Sequence, residues 1–416
     1  MKNSKNKVRF LCIALFVAMI SSTNLFGQKS LRDIPVLDSL TVANSVSYFD
    51  IKDNSFEGNG AAVLKDAVSS SKFLVLGENH NSKQISILTK NLVPLLDQSG
   101  YKVASFEVGP HSAEKLKELS SNPVQTLESL KAFNKEYFIP SMEMSAIPMF
   151  FYVDDANFLE EFADTKMDFW GIDQEFFFSV VFLGDEMVAS KSNDANYKEI
   201  KAAWGKARAS IEAEFENIDN NNSNSMLTSI YEHEDFKNFE KMFDADDHYA
   251  QDVLKKLYDS WYIYEKSNNS HEDRVNYIRS NFLNKYEAFE KENKDARYFI
   301  KIGSKHAATT SISFDCYDIG ALTHEIAEIE QVKSTNIIIS RATYEGKDFK
   351  DRAQTFLDFH QTDSWTVIDL RKLREDLNAN KFQIITHPDY QDLNRMIKGF
   401  DLLIFPPADE KPEFNR

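Results

Sequence analysis

Short apolar runs, each cut off by polar residues, punctuate the chain at Phe73-Leu-Val-Leu76, Val103-Ala-Ser-Phe106, Met167-Asp-Phe-Trp170 and Tyr298-Phe-Ile-Lys-Ile302. Runs of this length, rich in β-branched and aromatic residues, predict buried strands. Between the first two, Ile87, Leu88, Leu92, Leu95 and Leu96 recur at helical spacing from Gln84 to Ser99, and Gly100 closes the pattern. Strand, helix and strand in that order predict a parallel pair joined by a right-handed crossover. Asn336-Ile-Ile-Ile-Ser340, Trp365-Thr-Val-Ile-Asp369, Phe382-Gln-Ile-Ile385 and Leu402-Leu-Ile-Phe405 extend the pattern. The expected fold class is α/β: a mostly parallel central sheet flanked by helices, with a helical insertion.

The insertion is read over residues 190–295, which are rich in Lys, Glu and Asn, keep helical periodicity and carry the turn-prone tract Asp219-Asn-Asn-Asn-Ser-Asn-Ser225. It divides an α/β domain into halves at 61–189 and 296–405, preceded by an extension over 28–60. The tail over 406–416 is expected to fray. At the other end Lys2, Lys5, Lys7 and Arg9 precede an apolar run from Phe10 to Ile20, then small and polar residues lead to Gly27. This is the pattern of a secretory signal peptide over residues 1–27. Its apolar core is too short for a membrane-spanning helix. The expectation is a mature chain without a membrane span, exported to the periplasm or the extracellular space.

Composition narrows the partners. Removing the four basic residues of the leader takes the formal charge from −17 to −21, which disfavours nucleic acid and anionic membrane surfaces. A hydrophobic content of 42%, with 33 Phe and 16 Tyr, suits a large core. Of the two cysteines, Cys12 lies in the leader, so Cys316 is left alone and no intramolecular disulfide is expected.

The candidate chemistry sits where predicted strands end. Gly77-Glu78-Asn79-His80 follows Leu76, and Gly303-Ser304-Lys305-His306 follows Ile302 in the same way. Glu107 closes the strand through Phe106, and Asp173 follows Trp170-Gly-Ile172. In open parallel sheets ligands bind at carboxyl ends of strands, so these side chains are expected to converge on one cleft.

Two Gly-x-x-His motifs, a strand-end Glu and a downstream Arg resemble the superfamily joining erythromycin esterases, ChaN-like haem-binding proteins and the TraB/PrgY/Tiki proteins, over about residues 70–310. Leu76-Gly77-Glu78-Asn79-His80 resembles the Gly-Glu-x-His form of ChaN, whereas erythromycin esterases generally place one more residue between Glu and His. Arg274-Val-Asn-Tyr-Ile-Arg-Ser-Asn281 resembles an erythromycin-esterase helix in which Arg and Asn lie seven apart. Here Val275, Ile278, Phe282 and Tyr286 form the buried stripe. Arg274 also has local carboxylates in Glu272 and Asp273, so an ordinary helix-terminal charge is the competing reading.

Three chemistries follow. In the first, His80, held by Glu78 or Glu107, takes a proton from water, and Arg274 or His306 stabilises the oxyanion of an ester or amide, from a small-molecule or peptide substrate. In the second, implied by the Tiki resemblance, His80, Glu107 and His306 bind one divalent metal, zinc or manganese, whose water is the nucleophile. The third is haem binding without turnover, as in ChaN, with Tyr317 near His306 as an iron ligand. His324-Glu325-Ile-Ala-Glu328 lacks the second His of a zinc-protease helix and reads as a solvated face. His111, His233, His248, His271, His360 and His387 lack companions at ligand spacing and read as surface residues, although His111 is close enough to Glu107 to face the same cleft. No Gly-x-Ser-x-Gly elbow, phosphate loop or Cys-x-x-Cys pair is present.

Overall fold

A computed structural model describes residues 34–140, 143–216, 223–266, 271–311, 316–341, 343–344, 347–348, 354–384, 391–408 and 410–416. The leader, most of the Asp219–Ser225 tract, Asp315, Ile385 and His387 lie outside the described residues.

The apolar runs form one nine-stranded sheet: β1 Val46–Lys52, β2 Ser55–Glu57, β3 Phe73–Glu78, β4 Tyr101–Phe106, β5 Asp168–Gly171, β6 Arg297–Gly303, β7 Ser334–Ile339, β8 Trp365–Asp369 and β9 Leu402–Phe405. Their spatial order is β2-β1-β8-β9-β7-β3-β6-β4-β5. The six strands from β9 to β5 run parallel, while the pairings β9–β8, β8–β1 and β1–β2 are antiparallel.

Strand alternation divides the core in two. In β3, Leu74 and Leu76 join a cluster with Ile85, Leu88, Leu92 and Leu96 of the helix Lys83–Gln98. Phe73 and Val75 join the opposite cluster, with Ile278, Phe282 and Tyr286 of the helix His271–Glu290 and with Ile319 of the helix Ile319–Glu330. Every residue of β3 is buried, as a strand covered on both faces requires. Ser82 starts its helix by accepting the Ile85 N–H, and Gly100, at φ +83°, ends the turn into β4.

Between β5 and β6 the described residues are mainly helical, with helices Val180–Ser190, Tyr197–Glu216, Ser223–Glu232, Glu234–Glu240, His248–Glu265 and His271–Glu290. Trp204, Phe236, Phe239 and Trp261 fill its interior and belong to the same cluster as Leu74 and Leu76. Among the described residues no helix is long and apolar enough to cross a membrane.

Three elements depart from the sequence reading. The segment 28–60 is more than an extension, because β1 and β2 complete the sheet beside β8, where Phe49 stacks on Trp365 at 5.5 Å. Phe382–Ile385 forms no strand over its described part, and Gln383 makes an isolated bridge to Val36. The tail packs instead of fraying: Asn415 is 2% exposed, its N–H donates to Phe151 O, and Phe414 stacks on Phe151. Long-range hydrogen bonds and the contacts of Phe414 with Phe151 and Tyr152, invisible to periodicity, decide these last two.

Candidate active site

β3 and β6 are neighbours, but the connections leaving them diverge. Helix Lys83–Gln98, after β3, packs in one core cluster, and helix Ile319–Glu330, after β6, packs in the other. A crevice opens where adjacent parallel strands part in this way. Glu78 and Gly303, the last residues of the two strands, stand side by side in register.

The two turns that follow present the histidines. After β3, Asn81 takes φ +61° and Arg341 donates to the His80 carbonyl at 2.6 Å, which pins the turn. After β6, the His306 N–H returns to Gly303 O at 2.9 Å, and the His306 carbonyl accepts from Gly320. Close packing explains both glycines. A Cβ on Gly77 would stand 2.7 Å from the Ala307 Cβ, and one on Gly303 would stand 3.0 Å from His80 Nε2 and 3.2 Å from Glu107 Oε2.

Each imidazole turns Nδ1 toward its own buried carboxylate and Nε2 toward a shared one. His80 Nδ1 lies 3.0 Å from Glu78 Oε1, and His306 Nδ1 lies 2.5 Å from Asp318 Oδ2. Both Nε2 atoms lie 3.6 Å from Glu107, one from each carboxylate oxygen. An ionised carboxylate can only accept, so the proton of each neutral ring is assigned to Nδ1 and the lone pair to Nε2. Access separates the two: the His80 side chain is 39% exposed and that of His306 only 7%.

The carboxylates are held ionised. Burial would raise the Glu78 carboxyl, yet the charge of Lys301 and the hydrogen bond from His80 bring it down to about 2. Burial also opposes ionisation of Glu107, but His306, Arg274 and His80, with the Gly303 N–H, keep it below its usual range. For His80, burial pulls the pKa down, and the hydrogen bond and charge of Glu78 outweigh it, so the ring stays above its ordinary value. His306 is raised in the same way by Asp318 and Glu107 against burial.

Arg274 reaches across the fold rather than to its neighbours. Nη2 donates to Glu107 Oε1 at 2.8 Å, and Nε donates to Asp173 Oδ1 at 3.1 Å, while the adjacent Asp273 pairs with Lys266. Asn281, two turns on, donates to Ile172 O and docks this helix on the end of β5. The structure therefore brings Glu78, His80, Glu107, Asp173, Arg274 and His306 together.

The donors of the metal reading are also engaged within the protein. Glu107 already spends Oε2 on the Gly303 N–H at 2.5 Å and Oε1 on Arg274, whose guanidinium would stand beside the ion. Among the described residues no group of three His, Cys, Asp or Glu is placed to hold an ion. Tyr317, offered above as an iron ligand, is 56% exposed, and its carbonyl accepts from Arg279.

Four features escaped the sequence reading. Asp318 was not singled out, yet it caps helix Ile319–Glu330 through the Ile319 N–H and orients His306 with its other oxygen. Lys301 passed as a strand residue. His271 is partly exposed, but its ring lies 5.7 Å from that of His306 and so borders the site. His111 is not a surface residue: it is 6% exposed, with Nε2 3.0 Å from Asp252. A charged residue inside an apolar strand was the available signal for Lys301; Asp318 before an apolar helix was the signal for a cap.

No family model matches the chain, and no curated protein matches it. Solved structures share its fold. An erythromycin esterase, EreC, in its open conformation, superposes with a TM-score of 0.53 at 13% identity, over 88% of this chain and 98% of that one. A protein described as a succinoglycan biosynthesis protein gives 0.53 at 13% identity, over 94% and 100%. The haem-binding ChaN of Campylobacter jejuni, at a TM-score of 0.29, 11% identity and 76% and 96% coverage, is too distant to bear on the fold. The fold expected from the two Gly-x-x-His motifs is thus that of the erythromycin-esterase structure, in a chain of very different sequence.

Proposed function

We propose that the protein is an exported hydrolase in which His80, oriented by Glu78, takes a proton from water attacking an ester or amide bond. The observation that carries this reading is the half-exposed His80, with Nδ1 fixed on a buried carboxylate and Nε2 turned to the cleft. Glu107 holds the place opposite Nε2 and orients the attacking water. His306 in its protonated form, which Asp318 and Glu107 favour against burial, is the better of the two oxyanion stabilisers, since its Nε2 then carries a hydrogen toward the same centre, whereas Arg274 is committed to two carboxylates. The shared fold with an esterase agrees with this chemistry, and the leader accounts for export.

The test is a panel of aryl and alkyl esters and amides, small-molecule and peptide, presented to the chain from Gln28 onward. Saturable turnover that survives dialysis against a chelator is expected; a chain that cleaves nothing in the panel defeats the reading. The pH dependence has a fixed sign. A base works when neutral, and His80 is raised, so activity should climb with pH through a midpoint above about 6.5. Glu78→Gln removes the largest influences that raise His80 and leaves only the charge of Glu107, so the rising limb should move to lower pH. A limb that stays put in this variant would rule His80 out as the titrating base.

Gly303→Ala gives a second check. The added Cβ would crowd His80 Nε2 and Glu107 Oε2. Displacement of a reacting group by about 1 Å costs on the order of 10²-fold, so kcat should fall by roughly 10- to 100-fold in a chain that still folds. Unchanged kcat would mean that His80 and Glu107 do not work as a pair.

A further inference from the structure

Behind His80 lies a closed set of polar side chains. Lys301 is the single charge in Tyr298-Phe-Ile-Lys-Ile302, and it is 6% exposed. Alternation explains its direction: Tyr298, Ile300 and Ile302 face one core cluster, and Lys301 turns with Phe299 to the other. There Nζ donates to Glu78 Oε2 at 2.5 Å and lies 5.3 Å from the centre of the Phe158 ring. Asp155, 5% exposed, accepts from Ser86 Oγ at 2.7 Å and from the Tyr152 N–H at 3.1 Å. Glu78, Ser86, Asp155 and Lys301 line one small cavity with Asn81 and Met149.

Given the hydrolytic reading above, we infer that Lys301 is a positioning residue which, through Glu78, decides which nitrogen of His80 carries the proton. Glu78 divides its oxygens, giving Oε2 to the ammonium and Oε1 to His80 Nδ1. A buried carboxylate stays ionised only beside a counter-charge. Ionised, Glu78 can only accept, so Nδ1 donates and Nε2 presents its lone pair to the cleft. Without the ammonium, the desolvated carboxyl takes a proton from solvent, keeps it, and donates a hydrogen bond through that O–H to Nδ1. The ring hydrogen then sits on Nε2, which can no longer accept a proton from water. Asp155 does not compete strongly for the ammonium. Burial carries its carboxyl up to about 7, against about 2 for Glu78, so near neutral pH the charge of Lys301 belongs chiefly to Glu78.

The experiment compares the full mature chain with Lys301→Met and Lys301→Gln, labelled with 15N at histidine, at a pH where the rings are neutral. His80 signals are assigned by their loss in His80→Ala. The wild type should show His80 protonated at Nδ1, and both variants should move that proton to Nε2. Against any cleaved ester, kcat should fall at least tenfold, with KM within twofold. If Lys301→Met does not fold, Lys301→Gln, which keeps a donor to Glu78 but no charge, carries the comparison. An unchanged His80 tautomer in the folded variants overturns the inference. The nitrogen signals need no substrate, so a chain that hydrolyses nothing would defeat the hydrolytic reading while leaving the role of Lys301 judged by the spectra.

Discussion

His80→Ala is expected to lower kcat by roughly 10²- to 10⁴-fold, the usual contribution of a positioned general base. The fold should survive, because Glu78 keeps Lys301 as its partner and the lost side chain is half-exposed. His306→Ala should differ in kind. It strips Asp318 and Glu107 of a buried cationic neighbour, so activity and thermal stability should fall together. Measuring kcat and the unfolding midpoint on both variants separates the roles. If His80→Ala keeps full activity while His306→Ala loses it, the base is His306, and the access argument is wrong.

Arg274→Met should be among the most destabilising single changes in the protein. It leaves Glu107 and Asp173, 6% and 5% exposed, without the guanidinium they share. Breaking a buried ion pair by removing one partner costs about 3–5 kcal/mol. The pH dependence tests the cause. The folded-state pKa of Glu107 is depressed, so its contribution is present above the unfolded value, near 4.5, and is lost as pH falls through the folded value. Without Arg274 that depression shrinks, and the acid-side slope of stability should flatten. Urea unfolding at several pH values reads both quantities. A loss below about 1 kcal/mol would mean that water already shields the pair.

Much of this was legible in the sequence because the same residues carry pattern and chemistry. Leu74 and Leu76 mark a strand buried on both faces, so Gly77-Glu78-Asn79-His80 had to fall at its carboxyl end. The run before Gly303 placed His306 by the same logic, Glu107 followed from a strand end, and Arg274 entered through the resemblance of its helix to that of erythromycin esterases. Groups whose role depends on a partner distant in sequence were not legible. Lys301 finds Glu78 across 223 residues, and Asp318 meets His306 at a separation of 12 that matches no helical or strand period. The antiparallel setting of β8 and the edge hairpin β1–β2 are decided by neighbours, not by their own alternation. The contacts of Glu107 with the Gly303 N–H and Arg274 were equally out of reach, since both partners lie far along the chain.

The position of β6 bears on how the chain reaches its native state. It lies between β3 and β4, although those two are joined by a single helix and precede it by nearly two hundred residues. During synthesis β3 and β4 emerge early and must wait, with open hydrogen-bonding edges, until residue 303 has left the ribosome. Closing so long a loop makes for slow folding and leaves an intermediate prone to aggregation. A chain that cannot finish its sheet early stays unfolded longer, and its exposed edges are a demand on chaperones until the last parallel strand is in place.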